Sequence, residues 1–353
     1  NMLRTTSEAM AGALGGIDSM SVVNFDMRAG QPDEFSARIA RNTQLILQEE
    51  VNLTKVIDPA GGSWYVETLT EQIAQSAWKL FQEIEAHGGM MNALREGFIQ
   101  QAIEAVSQQR LSNMGSRKDI LVGTNMYVNL NDRFPDYRLE PLSWVNPPHF
   151  KIFDENITSS RGAARVNAAV DAARRNFLKF DLTDALFPDD AQIIEAPILK
   201  LVILALQFEP LRHDAEAYLA ATGTRPQIFL ANFGELGDYK ARMDFTRGFY
   251  EVGGFELIDY GGYADIDAAV KATIESDAPA VVICSTDDQY AQVVPEFTRA
   301  LKAQKPDMVV ILAGYPQDKV DEYKQAGVDD FIHIRANCYE MNKNLQDRLG
   351  ISQ

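Results

Sequence analysis

The strongest constraint on the fold is a regular alternation of strand-like and helical runs that begins after Pro226. Residues 280–284 and 308–312 are continuously apolar, which is typical of parallel strands buried on both faces. Strands are predicted at residues 227–233, 255–260, 279–285, 307–313 and 330–334, and helices near residues 238–252, 264–276, 287–304, 316–327 and 337–349. This alternation predicts an α/β fold, with a flavodoxin-like doubly wound domain at residues 225–353. A ligand crevice is expected at the carboxyl ends of its first, third and fourth strands.

The preceding part of the chain is less regular. A helix is predicted to begin at Asp33 or Ser36, either of which can cap it, and to end at Glu50. Further strands are predicted at residues 17–26 and 120–127, and further helices at residues 70–87, 90–111, 163–178 and 198–218. We therefore expect a first unit at residues 1–128 and a proline-containing linker or helical belt at residues 129–224.

Charge and composition limit the classes of partner. The chain has 33 Lys and Arg against 50 Asp and Glu, a net charge of −17 that repels phosphate backbones, so nucleic acid is not an expected partner. No apolar run reaches the roughly 18–20 residues that span a bilayer, so no membrane association is expected. Cys284 and Cys338 form no CxxC pair, which favours a reduced, cytoplasmic location. The four histidines form no cluster with metal-ligand spacing, and no P-loop or nucleophile triad is present, so no metal-binding or catalytic residue is predicted.

The loop after the first of the regular strands carries Leu236, Asp238 and Ala241 at a spacing that resembles a cobalamin motif without its functional side chains. Cobalamin-dependent mutases carry Asp-x-His-x-x-Gly there, and this chain has Leu236, Asp238 and Ala241 at those three positions. In that motif the histidine coordinates cobalt, the acid accepts its other ring N–H, and the glycine lets the helix approach the cofactor closely. A carboxylate is a poor ligand for soft, low-valent cobalt, and leucine accepts no hydrogen bond. These substitutions predict that the chain binds no cofactor here.

The other strand ends of the predicted crevice depart from the same pattern. The family's Ser-x-Leu run after the third strand is Cys284-Ser-Thr286 here, and its paired glycines after the fourth strand become Gly314 and Tyr315. Tyr315 is expected to fill the channel, and together these changes predict a closed crevice. His333 ends the last strand, where a lone histidine is more often a hydrogen-bonded structural residue than a ligand.

Four further motifs extend the resemblance over almost the whole chain. They are Asn1-x-x-Arg-Thr-x-x-Glu-Ala-Met10, Ser36-Ala-Arg-Ile-Ala-Arg-Asn-Thr-Gln44, Asp58-Pro-x-Gly-Gly-Ser63 with Glu67, and Glu85-x-x-Gly-Gly-Met90. On these residues the chain resembles the C-terminal half of the methylmalonyl-CoA mutase family. The resemblance implies that residues 1–128 form the last strands and helices of a TIM-type (β/α)8 barrel, which this chain alone cannot close. Because the chain begins within that pattern, we expect it to be a piece of a longer polypeptide.

A second departure lies in the barrel part. Active members carry Ser-Leu-His-Thr-Asn where this chain has Ser19-Met-Ser-Val-Val23, which removes an imidazole, a hydroxyl and an amide. With both positions altered, the chain is similar to the small (β), non-catalytic subunit of heterodimeric mutases. That resemblance implies a large catalytic subunit as partner, which uses adenosylcobalamin to interconvert methylmalonyl-CoA and succinyl-CoA. This chain itself is expected to bind no cofactor, and acyl-CoA binding by it is not expected.

Two other functions stay open. The chain could be an active cobalamin-dependent mutase with an atypical mode of cofactor binding. It could also be a repurposed flavodoxin-like sensor, in which Asp238, Asp287 and Asp288 form an acidic Mg²⁺ site. The sensor function would need an aspartate as phosphate acceptor after the third strand, where the chain has Ser285.

Two groups of arginines invite a functional interpretation. Arg38 and Arg41 share one face of a predicted helix with Gln44, so they form either a clamp for an anion or ion pairs with a neighbouring element. The second interpretation is favoured. The arginines between Arg161 and Arg175 are interpreted as the solvated face of a helix.

Overall fold

The computed structural model of the chain describes residues 1–27, 33–132 and 203–352. The described residues form two compact units, one of residues 1–102 and one that combines residues 103–132 with residues 203–352. Within these ranges, no helix is both long enough and apolar enough to cross a membrane.

The described part of the first unit is helical. Its helices are α1 (Met2–Leu14), α2 (Glu34–Glu49), α3 (Trp64–Ala86) and α4 (Met90–Glu96), and α5 (Phe98–Gly115) contains residues of both units. Asp33 and Ser36 cap α2 together. Asp33 Oδ1 accepts a hydrogen bond from the Ser36 N–H at 2.7 Å, and Ser36 Oγ accepts one from the Asp33 N–H at 3.2 Å. The predicted helix is confirmed, and both candidate caps are used.

Helix α3 begins earlier than the sequence predicted. Ser63 Oγ accepts a hydrogen bond from the Val66 N–H at 3.5 Å, which starts the helix at Trp64 instead of residue 70. Of the residues in this helix, Ile84 is the one that is buried. Its exposed large apolar side chains are Trp64, Tyr65, Val66, Leu69, Ile73, Trp78, Leu80 and Phe81. The helix therefore carries a broad apolar surface that the described residues leave uncovered.

The strands predicted in the first 128 residues are not formed. Residues 17–24 have no regular secondary structure, and within residues 120–127 a single bridge joins Val122 to Met126. A strand needs a hydrogen-bonded neighbour, and the described part of residues 1–102 contains no strand that could supply one. The TIM-type barrel that the resemblance implies therefore stays a prediction.

Two predicted helices have different bounds in the structure. The helix predicted at residues 90–111 is divided into α4 and α5, because Gly97 adopts a φ of 79° and ends α4. The described part of the helix predicted at residues 198–218 forms a 3₁₀ turn at Leu204–Gln207 and then α6 (Glu209–Thr222), and residues 198–202 lie outside the described residues. Pro210 lies in the first turn of α6. A backbone N–H in that turn has no partner within the helix, so proline removes no hydrogen bond there. The helix predicted at residues 163–178 lies outside the described residues.

The second unit is built on a parallel sheet. Its strands are β1 (Gln227–Phe233), β2 (Glu256–Ile258), β3 (Gly262–Tyr263), β4 (Ala280–Cys284), β5 (Val309–Ala313) and β6 (Asp330–Ile332). The strand order is β2-β1-β4-β5-β6, and the short β3 pairs with the carboxyl end of β1. Each of these pairs is parallel. The predicted α/β fold with a parallel sheet is confirmed.

Helices cover both faces of this sheet. Helices α6, α7 (Leu236–Tyr250) and α11 (Cys338–Arg348) contribute to the core on one face, and α8 (Ile266–Glu275), α9 (Asp287–Gln304) and α10 (Val320–Ala326) to the core on the other. Side chains alternate along β1, so that Ile228 and Leu230 join the first core and Phe229 and Ala231 the second. Strands β4 and β5 are buried along their whole length, which explains their continuous apolar sequences.

Most of the predicted elements of this sheet are present. The five strands predicted after Pro226 correspond to β1, β2, β4, β5 and β6, with ends that differ by a few residues. Helix α9 has the predicted bounds. Strand β3 was not predicted, because its two residues, Gly262 and Tyr263, carry no apolar pattern and are held only by pairing with the end of β1.

Asp329 joins both helical layers at the amino edge of the sheet. Its Oδ2 accepts hydrogen bonds from the Val310 N–H of β5 at 2.8 Å and from Lys302 Nζ of α9 at 3.0 Å, while its Oδ1 accepts one from Arg348 of α11 at 2.8 Å. Burial acts to raise the pKa of Asp329, but these hydrogen bonds outweigh it and hold the pKa below its usual value.

This lowered pKa gives a pH-dependent prediction. A carboxylate whose pKa is lower in the folded than in the unfolded chain stabilises the fold above its unfolded pKa, and loses that effect as the pH falls through its folded pKa. Asp329→Asn is therefore expected to lower the free energy of unfolding by about 1–3 kcal/mol at pH 7, with a smaller difference from the original chain below about pH 4. Urea unfolding at several pH values measures this. The exposed Asp307→Asn is the control, and an equal loss in both variants would contradict the prediction.

Candidate functional site

The strand order places one candidate crevice at the carboxyl edge of the sheet. The chain leaves β1 toward β2 on one side, whereas β4 lies on the other side of β1. In open α/β sheets, ligands bind where the order of strands reverses in this way. The elements that border this point are the turn from β1 into α7 and the turn from β4 into α9.

The turn from β1 into α7 is tight, and the side chain of Asp238 accepts a hydrogen bond from the backbone of the same turn. Gly234 follows the strand with a φ of 91°, and the Glu235 N–H donates to Asp238 Oδ2 at 2.9 Å. A Cβ atom on residue 234 would lie 2.5 Å from that same oxygen and 2.9 Å from Gln289 Oε1. Glycine is therefore needed at 234, both for the backbone conformation and for the space that Asp238 and Gln289 occupy.

The turn from β4 into α9 supplies the other half of the contact. Ser285 is fully buried, and its Oγ lies 2.6 Å from Gln289 Oε1 and 3.0 Å from the Phe233 carbonyl oxygen, so its proton can bond to either. Gln289 Nε2 donates to Asp238 Oδ2 at 3.3 Å. The side chains of Asp238, Gln289 and Ser285 thus form a crevice network, a chain of hydrogen bonds that bridges the two turns at the point where a ligand would enter.

Arg242 and Tyr290 pack beside the crevice network. The Arg242 guanidinium lies 4.6 Å from the centroid of the Tyr290 ring, and it donates to Asp287 Oδ1 at 2.7 Å and to the Ser285 carbonyl oxygen. The Tyr290 hydroxyl donates to the Ala313 carbonyl oxygen at 2.7 Å and accepts from the Ser285 N–H at 3.1 Å. Burial raises the pKa of Tyr290 above that of an ordinary tyrosine, so its hydroxyl stays a neutral donor.

The charges at these turns disfavour an anionic ligand. A helix N-terminus attracts phosphate because its N–H groups are free and its dipole is positive there. Here the first turns of α7 and α9 carry Asp238 in one case and Asp287 with Asp288 in the other. These carboxylates neutralise the positive ends of the two helix dipoles. The two turns therefore offer no unneutralised positive charge to a phosphate group.

The structure brings some of the residues predicted from the degenerate motif together and separates others. Leu236 and Ala241 are exposed on α7, whereas Asp238 belongs to the crevice network. Cys284 is fully buried, with its Sγ 3.7 Å from Thr246 Oγ1, and burial raises its thiol pKa to about 12. It is therefore an unreactive part of the core.

Thr286 and Gly314 have structural roles in the local backbone conformation. Thr286 caps α9 by accepting from the Gln289 N–H at 3.4 Å. Gly314 has a φ of 152°, and a Cβ atom there would lie 3.4 Å from the Tyr290 ring. Tyr315 does not fill the crevice as the sequence suggested. Its ring instead packs against His333, with centroids 4.8 Å apart, and against Phe331.

The remaining candidates show no ligand chemistry in the described residues. His333 Nδ1 accepts a hydrogen bond from the Arg335 N–H at 3.2 Å, which is the structural role that the sequence favoured. The described ranges contain no group of three or more His, Cys, Asp or Glu side chains that could hold a metal ion. Arg38 and Arg41 are exposed, and the Arg38 guanidinium lies 5.7 Å from the centroid of the Phe35 ring on its own helix.

Sequence reasoning missed three residues of this site, Gln289, Tyr290 and Arg242. Their signal is weak because each occupies a position in a helix, and at least one partner of each lies far away in the sequence. Gln289 contacts Asp238, 51 residues earlier, and Arg242 contacts Asp287, 45 residues later. A glutamine and a tyrosine next to each other in the first turn of a predicted helix were the available hints.

Comparison with known proteins agrees with the resemblance. A family model described as methylmalonyl-CoA mutase matches residues 1–178. The chain is similar to the methylmalonyl-CoA mutase small subunit of Porphyromonas gingivalis, at 32% identity over 99% of this chain and 48% of that protein. It is also similar to the small subunit of Streptomyces virginiae, at 34% identity over 100% of this chain and 48% of that protein. The chain spans about half the length of the curated relatives it matches.

Among solved structures, the chain is similar to a cobalamin-binding protein from Desulfitobacterium hafniense DCB-2. The match has 21% sequence identity and a TM-score of 0.31, and covers 54% of this chain and 92% of that chain. The fold described above rests on the strand order and packing of this chain alone.

Proposed function

The chain belongs to the methylmalonyl-CoA mutase family, and we propose that it is a non-catalytic small subunit of a heterodimeric mutase. Its partner would be a larger catalytic subunit that interconverts methylmalonyl-CoA and succinyl-CoA with adenosylcobalamin. We further propose that residues 1–128 belong to a TIM-type barrel, that residues 129–224 form a linker, and that residues 225–353 form a flavodoxin-like domain. The two free, buried cysteines are compatible with a cytoplasmic location.

The observation that carries this proposal is the crevice network. Cobalamin bound in the family's manner needs an imidazole on cobalt and an open path for its nucleotide tail. Asp238 occupies the position of the family's histidine. Its carboxylate already accepts hydrogen bonds from the Glu235 N–H and from Gln289 Nε2. Ser285 and Gln289 occupy the space between the two turns. The residues present do not fit the cofactor, which supports a chain that leaves catalysis to its partner.

Catalysis by this chain would also need polar groups in the barrel part. The run Ser19-Met-Ser-Val-Val23 lacks the imidazole and amide of active members. The loss of these polar groups favours a role in assembly.

Purification from the native cell tests the proposal. We expect the chain to co-purify with a larger mutase subunit, and cobalt to be bound by that subunit only. Mass spectrometry of the complex and cobalt analysis of each separated chain measure this. Stoichiometric cobalt in this chain, or its recovery without a larger homologous subunit, would contradict the proposal.

Restoring the motif gives a second test on the isolated chain. The triple variant Leu236→Asp, Asp238→His, Ala241→Gly recreates the family pattern but leaves Ser285, Gln289 and Tyr290 in place. We expect no change in the visible absorbance of added cobalamin, because the path for its tail stays filled. Adding Gln289→Gly to the triple variant is the matched comparison. Cobalamin binding by the triple variant alone would show that Ser285, Gln289 and Tyr290 do not close the site.

A further inference from the structure

The second unit combines two stretches of chain that are far apart in the sequence. We call residues 203–352 the sheet unit, and residues 116–130, which follow α5 and lie against α6 and α7, the strap. Both apolar cores of the sheet are formed by residues between Phe208 and Ile351. Among the described residues of the strap, Val128 is the one that packs against either core. The sheet unit thus has cores of its own, and the strap lies on its surface.

A buried asparagine sets the shape of the strap. Asn125 is fully buried, and its Oδ1 accepts a hydrogen bond from the Leu121 N–H at 2.7 Å. Its Nδ2 donates to the carbonyl oxygens of Met114 at 3.0 Å and Asp119 at 2.8 Å. These hydrogen bonds all lie within the strap and the end of α5. The conformation of the strap is therefore stabilised from within, apart from its contacts with the sheet unit.

Arg117 holds the first end of the strap to α7. Its guanidinium carbon lies 5.0 Å from the ring centroids of both Phe245 and Phe249, and its Nη1 donates to the Gly248 carbonyl oxygen at 2.8 Å. Aromatic faces attract a guanidinium, most strongly where water is excluded. The backbone of Arg117 has a φ of 57°, which is unfavourable for residues other than glycine and persists where surrounding contacts hold it. The contacts with α7 therefore offset an unfavourable backbone conformation.

Two arginines of the sheet unit hold the other end of the strap by its backbone. Arg225 Nη2 donates to the Leu130 carbonyl oxygen at 2.7 Å, and Arg212 Nη2 donates to the Asn129 carbonyl oxygen at 3.5 Å. Glu216 positions Arg225, because its Oε1 lies 2.7 Å from Arg225 Nη1. Bonds to backbone carbonyl oxygens do not depend on the side chains of the bound segment. They add affinity, whereas the arginine between the two phenylalanine rings provides selectivity.

We propose that the sheet unit binds an arginine-containing peptide segment on its α6 and α7 face, and that the strap is the segment bound there within this chain. A segment whose shape is set in advance loses little conformational freedom on docking. The strap is therefore expected to stay docked when the chain is cut between Asp132 and Ile203. The sheet unit is then attached to α5 by these contacts as well as by the covalent chain. None of the contacts named involves the crevice network, so the docking of the strap is independent of the subunit role.

Cutting the folded chain tests the docking of the strap. The recognition site of a specific protease is inserted between Asp132 and Ile203, and the two fragments are followed by size-exclusion chromatography after cleavage. We expect them to elute together at roughly micromolar concentrations. Arg117→Ala is expected to weaken the association at least about tenfold. Arg110→Ala is the matched control and is expected to leave the association unchanged, because Arg110 is an exposed arginine on α5.

Two further measurements separate docking from a loss of folding. A synthetic peptide of residues 113–132 is expected to displace the first fragment of the unaltered cut chain, and the same peptide with Arg117→Ala is not. Asn125→Ala is expected to weaken the association as well, because a strap without its internal hydrogen bonds must be ordered on docking. Circular dichroism of each uncut variant verifies that the sheet unit is folded.

Three results would contradict the docking of the strap, and each leaves the subunit role intact. The first is separation of the two fragments of the unaltered chain on cleavage. The second is an association that Arg117→Ala and Arg110→Ala affect equally, because contacts outside the strap would then hold the fragments together. The third is dimerisation of the uncut chain that Arg117→Ala abolishes, which would show that the strap docks on a second copy.

Discussion

Gly234→Ala is expected to lower the free energy of unfolding by about 3 kcal/mol, although it adds a single methyl group. The backbone of Gly234 has a φ of 91°, where L-residues other than glycine are strained. The added Cβ would also lie 2.5 Å from Asp238 Oδ2 and within 3.0 Å of the Gln289 amide, so the crevice network would have to shift. Chemical denaturation followed by circular dichroism measures the loss.

Gly237→Ala is the matched control for this substitution. It adds the same methyl group three residues later, in the first turn of α7, where a Cβ atom meets nothing within 4 Å. Alanine favours a helix over glycine by up to about 1 kcal/mol, so this variant is expected to be as stable as the original chain or slightly more stable. A Gly234→Ala variant as stable as Gly237→Ala would show that the turn at Gly234 tolerates a side chain.

Tyr290→Ala is expected to have the largest effect, a loss of about 3–5 kcal/mol. The ring is fully buried between the core and the Arg242 guanidinium, and the surrounding strands cannot collapse to fill its place. The hydroxyl also connects the ends of β4 and β5, through the Ser285 N–H and the Ala313 carbonyl oxygen. Thermal and urea unfolding measure the change.

Tyr290→Phe separates the ring from the hydroxyl. It keeps the packing but leaves the Ser285 N–H and the Ala313 carbonyl oxygen without this partner, which is expected to cost about 1–3 kcal/mol. The difference between the two variants then reports the contribution of the ring. A Tyr290→Phe variant as unstable as Tyr290→Ala would mean that the hydrogen bonds, and not the packing, account for the role of Tyr290.

The sequence predicted the central part of the sheet well. Strands β4 and β5 are recognisable because burial on both faces demands an unbroken apolar run, and α9 because its cap and its apolar periodicity agree. The strand predicted at residues 17–26 shows the limit of such patterns. An apolar, β-branched segment forms a strand only beside another strand. The sequence of the segment does not show whether such a neighbour is present.

The candidate site could be predicted in part. Departures at Leu236, Asp238 and Ala241 can be read directly, because the motif occupies one continuous segment. The side chains that fill the crevice could not be predicted from that segment. Asp238, Gln289 and Ser285 meet because β1 and β4 are neighbours in the sheet, and that neighbourhood follows from the strand order, not from local sequence.

The crevice network also bears on how the stability of this protein responds to cobalamin. A domain that binds a cofactor only when folded gains stability in proportion to the logarithm of the free ligand concentration, so its apo form is the more readily unfolded and degraded. Here Asp238, Gln289 and Ser285 complete the crevice from within the chain. Under the proposed function, the stability of this unit gains nothing from cobalamin, and the isolated chain should unfold at the same temperature with and without added cobalamin.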